Sequence, residues 1–173
     1  GRDKILSFAF TFKKKCHKRR PSFWGLGFNV IAGMYEIIKI LEFSYGHRLL
    51  DHPKCQNLHG HNGKAEIVLF ADSLDQNGMV SDFSQVRTVV GGWINSHLDH
   101  QMLLSQNDPL LKVCRDYQMP VYVFDSPPTA EAIAKTLFDI TQQNGFSVKE
   151  VRFWETSSSV GIYRGEPSSC PPA

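Results

Sequence analysis

The chain has 173 residues, 42% hydrophobic and 21% charged, ordinary values for one globular domain with a proper core. No apolar run reaches the ~18 residues a membrane helix needs, and four scattered cysteines (Cys16, Cys55, Cys114, Cys170) lack the density of a disulfide framework, so a cytoplasmic setting with free thiols is expected. The formal charge of +2 is uneven: residues 1–33 hold eight Lys/Arg against one acid, Asp3, and the remainder holds eleven against sixteen Asp/Glu.

Residues 1–33 read least like domain material. Ile5–Phe12 is apolar, Lys13–Arg20 is basic, and Phe23–Ala32 is apolar again but contains glycines. A signal peptide is disfavoured, because Ala32-Gly33 is a weak cleavage site and Gly25, Gly27 and Asn29 break the run. The basic cluster could touch nucleic acid, yet a solvated tail is the blander reading, and no nucleic-acid partner is expected. Everything recognisable begins at Met34. The favoured reading is therefore that Met34 is the true start and the residues before it are not native.

Tyr35–Phe43 alternates as a strand with two largely apolar faces, and Lys64–Ala71 reads as a second strand. The pair suits an antiparallel hairpin. Asn77-Gly78 is a turn signal, and Asp82 with Gln85 opens a helix on a capping box. Its stripe is Phe83, Val86, Val90, Trp93, Ile94 and His97, ending near Leu98. Gly91-Gly92 inside it costs about 2 kcal/mol of propensity, so a close packing contact is expected there. Residues 101–120 read as loop with a short helix, and Val121–Phe124 as a short strand. Pro127-Pro128-Thr129 opens a second helix that buries Ile133, Ala134, Leu137, Phe138 and Ile140 and ends at Asn144-Gly145. Val148–Glu155 and Val160–Arg164 follow as strands, and the tail after Glu166 is rich in Pro and Ser. This order implies an α+β fold, an antiparallel sheet with two helices on one face. The expected domain is 34–166, with 167–173 a loose tail.

The chemistry concentrates in His47–His61, which holds His47, His52, Cys55, His59 and His61. His59 and His61 are two residues apart, so an extended backbone sends both side chains to one face. A returning hairpin brings His47 alongside. Three imidazoles with an open fourth place form the pattern of a catalytic zinc site, giving Zn2+ as the expected cofactor. Cys55 is either a further ligand or a nearby thiolate base, against the bland reading of a small buried hydrophobe. His52 is set aside as a solvated loop residue. Asp99-His100 could form a proton relay or simply end a helix. Glu155, facing inward after Val151 and Phe153, needs a partner if buried. It is either structural or the acceptor of two N–H donors from a ligand.

Together these stretches resemble the 6-pyruvoyl-tetrahydropterin synthase and 6-carboxy-tetrahydropterin synthase family. The resemblance rests on Phe43-Ser-Tyr-Gly-His47-Arg-Leu, Lys54-Cys55-x3-His59-Gly-His61, Ser81-Asp82-Phe83, Leu98-Asp99-His100, Pro128-Thr129-Ala130-Glu131, Glu155-Thr156 and Ile162-Tyr163-Arg164-Gly165-Glu166, in the family's order. It implies a tunnelling fold whose subunits form a β-barrel, typically a hexamer, with active sites between subunits. It also implies His47, His59 and His61 as zinc ligands, Cys55 as base, and Asp99-His100 as a relay supplied by a neighbouring subunit. Glu155 would anchor a pterin, with Thr129 and Glu131 lining its pocket. The three residues between Cys55 and His59 match the 6-carboxy branch of queuosine biosynthesis. The implied substrate is 7,8-dihydroneopterin triphosphate, with Arg48, Lys54 and Arg164 as candidate triphosphate contacts. The rivals are the 6-pyruvoyl reaction on the same substrate and a non-catalytic zinc protein with Cys55 as fourth ligand. Two departures stand out: a longer segment between His100 and Thr129, and an N-terminal extension without a counterpart.

Overall fold

The computed structural model describes residues 33–165. The expectations for residues 1–32 and for the chain from Glu166 onward lie outside them. Among the described residues, Cys55 and Cys114 are free thiols, and no helix is long and apolar enough to cross a membrane.

Strands β1 (Tyr35–His47) and β2 (His59–Ala71) form a long antiparallel hairpin, with Tyr35 opposite Ala71 at one end and His47 opposite His59 at the other. Both strands run further toward the loop than their apolar alternation indicates, carrying the histidines into the ladder. Strand β5 (Val148–Thr156) lies antiparallel on β2, and β6 (Ser159–Arg164) antiparallel on β5. This is the expected antiparallel sheet.

Two short strands extend it on the other side. Strand β3 (Met102–Ser105) runs parallel to the end of β1, pairing at Gly46 and His47, and β4 (Val121–Phe124) runs parallel to β3. The sheet order is β4-β3-β1-β2-β5-β6, so the edge is mixed rather than purely antiparallel. Residues 101–120 are thus more than loop and helix.

One continuous helical segment comprises α1 (Phe83–Val86), a π-helical stretch (Arg87–Gly91) and α2 (Gly92–His97). Asp82 caps it by accepting the Ser84 N–H at 2.7 Å. The expected crowding at Gly91-Gly92 is slight. A Cβ on Gly91 would meet Leu41 at an ordinary 3.4 Å, and one on Gly92 would meet nothing. Thr129 caps α4 (Ala130–Gln143), and Asn144 with Gly145 at φ +87° ends it.

Val86, Val90, Ile94, Ile133 and Leu137 from these two helical segments pack on the face formed by Phe43, Ala65, Ile67, Val151 and Phe153. A further helix, α3 (Leu110–Asp116), covers the other face of the parallel edge. Leu103 joins the main core, whereas the next residue, Leu104, packs with Leu111 and Cys114. Strand alternation forces that split. Two helical segments share one face, as expected, and the third lies opposite.

Candidate metal and substrate site

The open end of the hairpin builds the site from strand geometry. His47 ends β1, His59 and His61 begin β2, and all three lie on the helix-covered face, whose odd-numbered positions also hold Phe43 and Tyr45. One ligand atom from each imidazole lies within 4.8 Å of the others. Ring centroids are 4.5 Å apart for His47–His59, 5.1 Å for His47–His61 and 5.2 Å for His59–His61.

Hydrogen bonds orient two of the rings. His47 Nδ1–H donates to the Pro128 carbonyl at 2.9 Å, and His59 Nδ1–H to the Asn57 carbonyl at 2.8 Å. These bonds set the tautomer and leave Nε2 as a lone-pair donor in both. Burial lowers the His47 pKa, only partly opposed by Pro128 and Glu155, which keeps the imidazole neutral as metal binding requires. His47 Nε2 and His61 Nε2 are buried and have no hydrogen-bond partner. Orphaned nitrogens of this kind are costly, and a bound cation would satisfy both. The donor set fits zinc.

Glu155 comes from β5 on the same face. Its Oε1 lies 3.4 Å from His47 Nε2 and 3.8 Å from His61 Nε2. The Tyr45 hydroxyl donates to this oxygen at 3.2 Å. Tyr45 is buried, and burial followed by the Glu155 charge raises its pKa, so the phenol remains a donor. Gly63 makes room here, because a Cβ would lie 2.4 Å from Phe153 Cζ and 3.1 Å from Tyr45 Cε1.

The loop between the strands carries Cys55, half-buried and outside the histidine group. Leu49 N–H donates to its carbonyl at 2.7 Å, and its own N–H donates to His52 Nδ1 at 3.1 Å. His52 is an exposed loop residue, as expected, and its ring also accepts the Cys55 N–H. Thr129 uses its hydroxyl to cap α4 at Ala132 N, 3.3 Å away, while Glu131 is exposed.

Asp99 and His100 form a pair at 3.0 Å away from the histidines. Ser44 N–H donates to Asp99 Oδ1 at 2.9 Å, and His100 N–H to the Ser44 carbonyl at 2.7 Å. Desolvation works against the Asp99 charge, but the bonds from Ser44 and His100 outweigh it and hold the carboxyl below its usual range. His100 adopts φ +57°, and its ring is largely exposed. It lines an open depression with Ser44, Gly46 and Met102. Ser44 and Gly46 alternate with Tyr45 and His47, so this depression lies on the opposite face of β1. Within one chain, no described hydrogen bond or ion pair joins the Asp99–His100 pair to the three histidines.

The basic side chains expected at a triphosphate are mostly engaged elsewhere. Arg48 forms a two-pronged ion pair with buried Asp108, and Arg164 Nε lies 2.6 Å from Glu150 Oε2. Lys54 is exposed. Sequence reasoning missed Tyr45 and Asp108. Strand parity places Tyr45 beside His47, whereas Asp108 has no local signal.

A family model described as 6-pyruvoyl tetrahydropterin synthase matches residues 36–166. The chain belongs to this family. Among curated relatives, a protein from Rickettsia bellii named 6-carboxy-5,6,7,8-tetrahydropterin synthase is 34% identical over 131 residues, covering 71% of this chain and 95% of its own. One of the same name from Aquifex aeolicus is 30% identical over 161 residues, covering 76% and 99%. Among solved structures, a Wolinella succinogenes protein described as uncharacterized aligns with a TM-score of 0.67 at 26% identity, over 77% of this chain and 99% of its own. The Caenorhabditis elegans 6-pyruvoyl tetrahydropterin synthase aligns at 0.57 and 20% identity, over 77% and 96%. At that identity it shows the shared fold, the tunnelling fold of this family.

Proposed function

We propose that this chain is a zinc-dependent 6-carboxy-5,6,7,8-tetrahydropterin synthase of queuosine biosynthesis, converting 7,8-dihydroneopterin triphosphate and one water to the 6-carboxy product, acetaldehyde and triphosphate. The observation that carries the reading is the convergence of three imidazoles with two orphaned Nε2 atoms beside an inward carboxylate. The names of the relatives support the choice of product.

His47, His59 and His61 hold the zinc, which supplies Lewis-acid polarisation of the substrate's side-chain oxygens. Glu155 accepts paired N–H donors from the pterin ring and so places the substrate side chain over the histidines. Thr129 and Glu131 contribute to the rim of that pocket. Cys55, as thiolate, removes the proton that initiates loss of triphosphate and the carbon–carbon cleavage releasing acetaldehyde. Asp99 and His100 relay protons for Cys55. In this reading the pair acts in the site of a neighbouring subunit, supported by the absence of any described bond between it and the three histidines and by His100 lining a depression away from them. That arrangement fits a homo-oligomer, a hexamer in this reading, whose subunits close a β-barrel. The domain runs from 34 to 166, and the enzyme works in the cytoplasm.

The test is to give zinc-loaded protein 7,8-dihydroneopterin triphosphate and identify products by mass spectrometry with an aldehyde trap. The 6-carboxy product with acetaldehyde is expected. A 6-pyruvoyl product would keep the site and change the reaction, and an untouched substrate would sink the reading.

A further inference from the structure

We propose that Tyr45 is a positioning residue whose hydroxyl holds Glu155 back from the metal position, keeping one coordination place open and the carboxylate available to substrate. The inference rests on the pterin-synthase reading of this site. Its starting point is a conflict of roles at one oxygen. Glu155 Oε1 lies 3.4 Å and 3.8 Å from the two orphaned imidazole nitrogens. A carboxylate so near three converging imidazoles is a natural fourth ligand for a divalent cation. A site closed in that way has the four protein ligands of structural zinc rather than the three of catalytic zinc. It would also lose the acid that receives a pterin.

Tyr45 answers the conflict. Its hydroxyl donates to that same Oε1 at 3.2 Å, and no other described side chain donates a hydrogen bond to Glu155, the facing imidazole nitrogens being unpaired. The ring cannot easily swing away. It is 4% exposed and packed against Phe43 and Phe153 at 5.6 and 5.9 Å, with the His47 ring edge-on at 5.2 Å. Gly63 leaves the space the ring occupies. Packing alone would be served as well by phenylalanine, so the hydroxyl marks the functional part of the residue. A hydrogen bond to an ionised carboxylate is among the stronger ones in proteins.

The experiment compares the full chain with Y45F, E155Q and the Y45F/E155Q double variant, each loaded with cobalt(II). Azide titration monitored in the visible bands reports the open coordination place. The parent is expected to bind azide, and Y45F to bind it about tenfold or more weakly, with altered bands, as Glu155 moves onto the metal. E155Q and the double variant are expected to bind azide like the parent, because glutamine is a poor ligand. In turnover, Y45F should raise KM for the pterin more than it lowers kcat. Equal azide affinity and spectra in Y45F and parent would overturn the proposal, as would a double variant that stays weak. A parent that takes up no cobalt would overturn it too, leaving Tyr45 nothing to guard. A parent with normal azide behaviour and no pterin turnover would fail the functional reading alone.

Discussion

Asp108 ties the histidine hairpin to α3. Arg48, one residue past His47 and therefore on the opposite face of the strand, grips Asp108, which also accepts Leu110 N–H at 2.8 Å and so starts α3. Asp108 is buried but Arg48 is partly exposed and can be rehydrated, so Asp108→Ala is expected to destabilise by about 1–3 kcal/mol in urea unfolding. The Arg48 bond, opposed by desolvation, holds the Asp108 carboxyl below its usual range. A depressed folded-state pKa contributes stability that is full above the unfolded value of about 3.9 and disappears as pH falls through the folded value. The gap between parent and Asp108→Asn should therefore narrow below about pH 4, and a gap unchanged into stronger acid would contradict this account. Cys55 gives a contrasting prediction. It stands outside the imidazole group, so Cys55→Ala is expected to retain one zinc per chain by metal analysis while losing about a thousandfold or more in kcat. Loss of the zinc instead would make Cys55 a ligand.

At the scale of elements, the hairpin was legible in the residues and the parallel edge was not. Alternation from Tyr35 onward, carried two pairs beyond Phe43, puts Tyr45 and His47 on one face. The His59-x-His61 spacing does the same for β2, so a hairpin almost demands the observed cluster. Strand β3 is four residues long and meets β1 at two of them, so its existence depends on a pairing that no local pattern encodes. For the same reason, the face on which Asp99 and His100 lie could not be read from their adjacency to a helix end. The packing of β2 on β5 yields a prediction of its own. A methyl at Gly63 would press into the Phe153 ring and toward Tyr45. Overpacking of this kind costs about 1–3 kcal/mol, so Gly63→Ala should lower Tm by several degrees in calorimetry. Adding Phe153→Leu should recover part of the loss. A Gly63→Ala protein as stable as the parent would mean that β2 and β5 separate more freely than their ladder indicates.

For the whole molecule, the point that matters is that the proposed relay residue His100 lies away from the face that carries the histidines and Glu155. The histidines and Glu155 lie on the helix-covered side, the Cys55 loop joins the same end of the β1–β2 hairpin, and His100 lines a depression on the other face. A relay must reach its thiolate within hydrogen-bond distance or through one water, so the proposed mechanism is the one in which a neighbouring subunit lends the pair. In a closed symmetric assembly each subunit then both donates and receives. Two variants follow from that reciprocity. Cys55→Ala spoils the site that a subunit houses, whereas His100→Ala spoils the site of its neighbour. Each pure variant should be inactive. Equal amounts, unfolded together and refolded, should yield sites drawing an intact Cys55 from one chain and an intact His100 from the other. Random mixing predicts about a quarter of parental activity per site, read as product formed and compared with the two variants refolded separately and then combined. Activity in the co-refolded sample alone would establish shared sites. Silence in both samples, with an assembled oligomer visible by light scattering, would place the relay within a single chain and require His100 to move across the sheet edge.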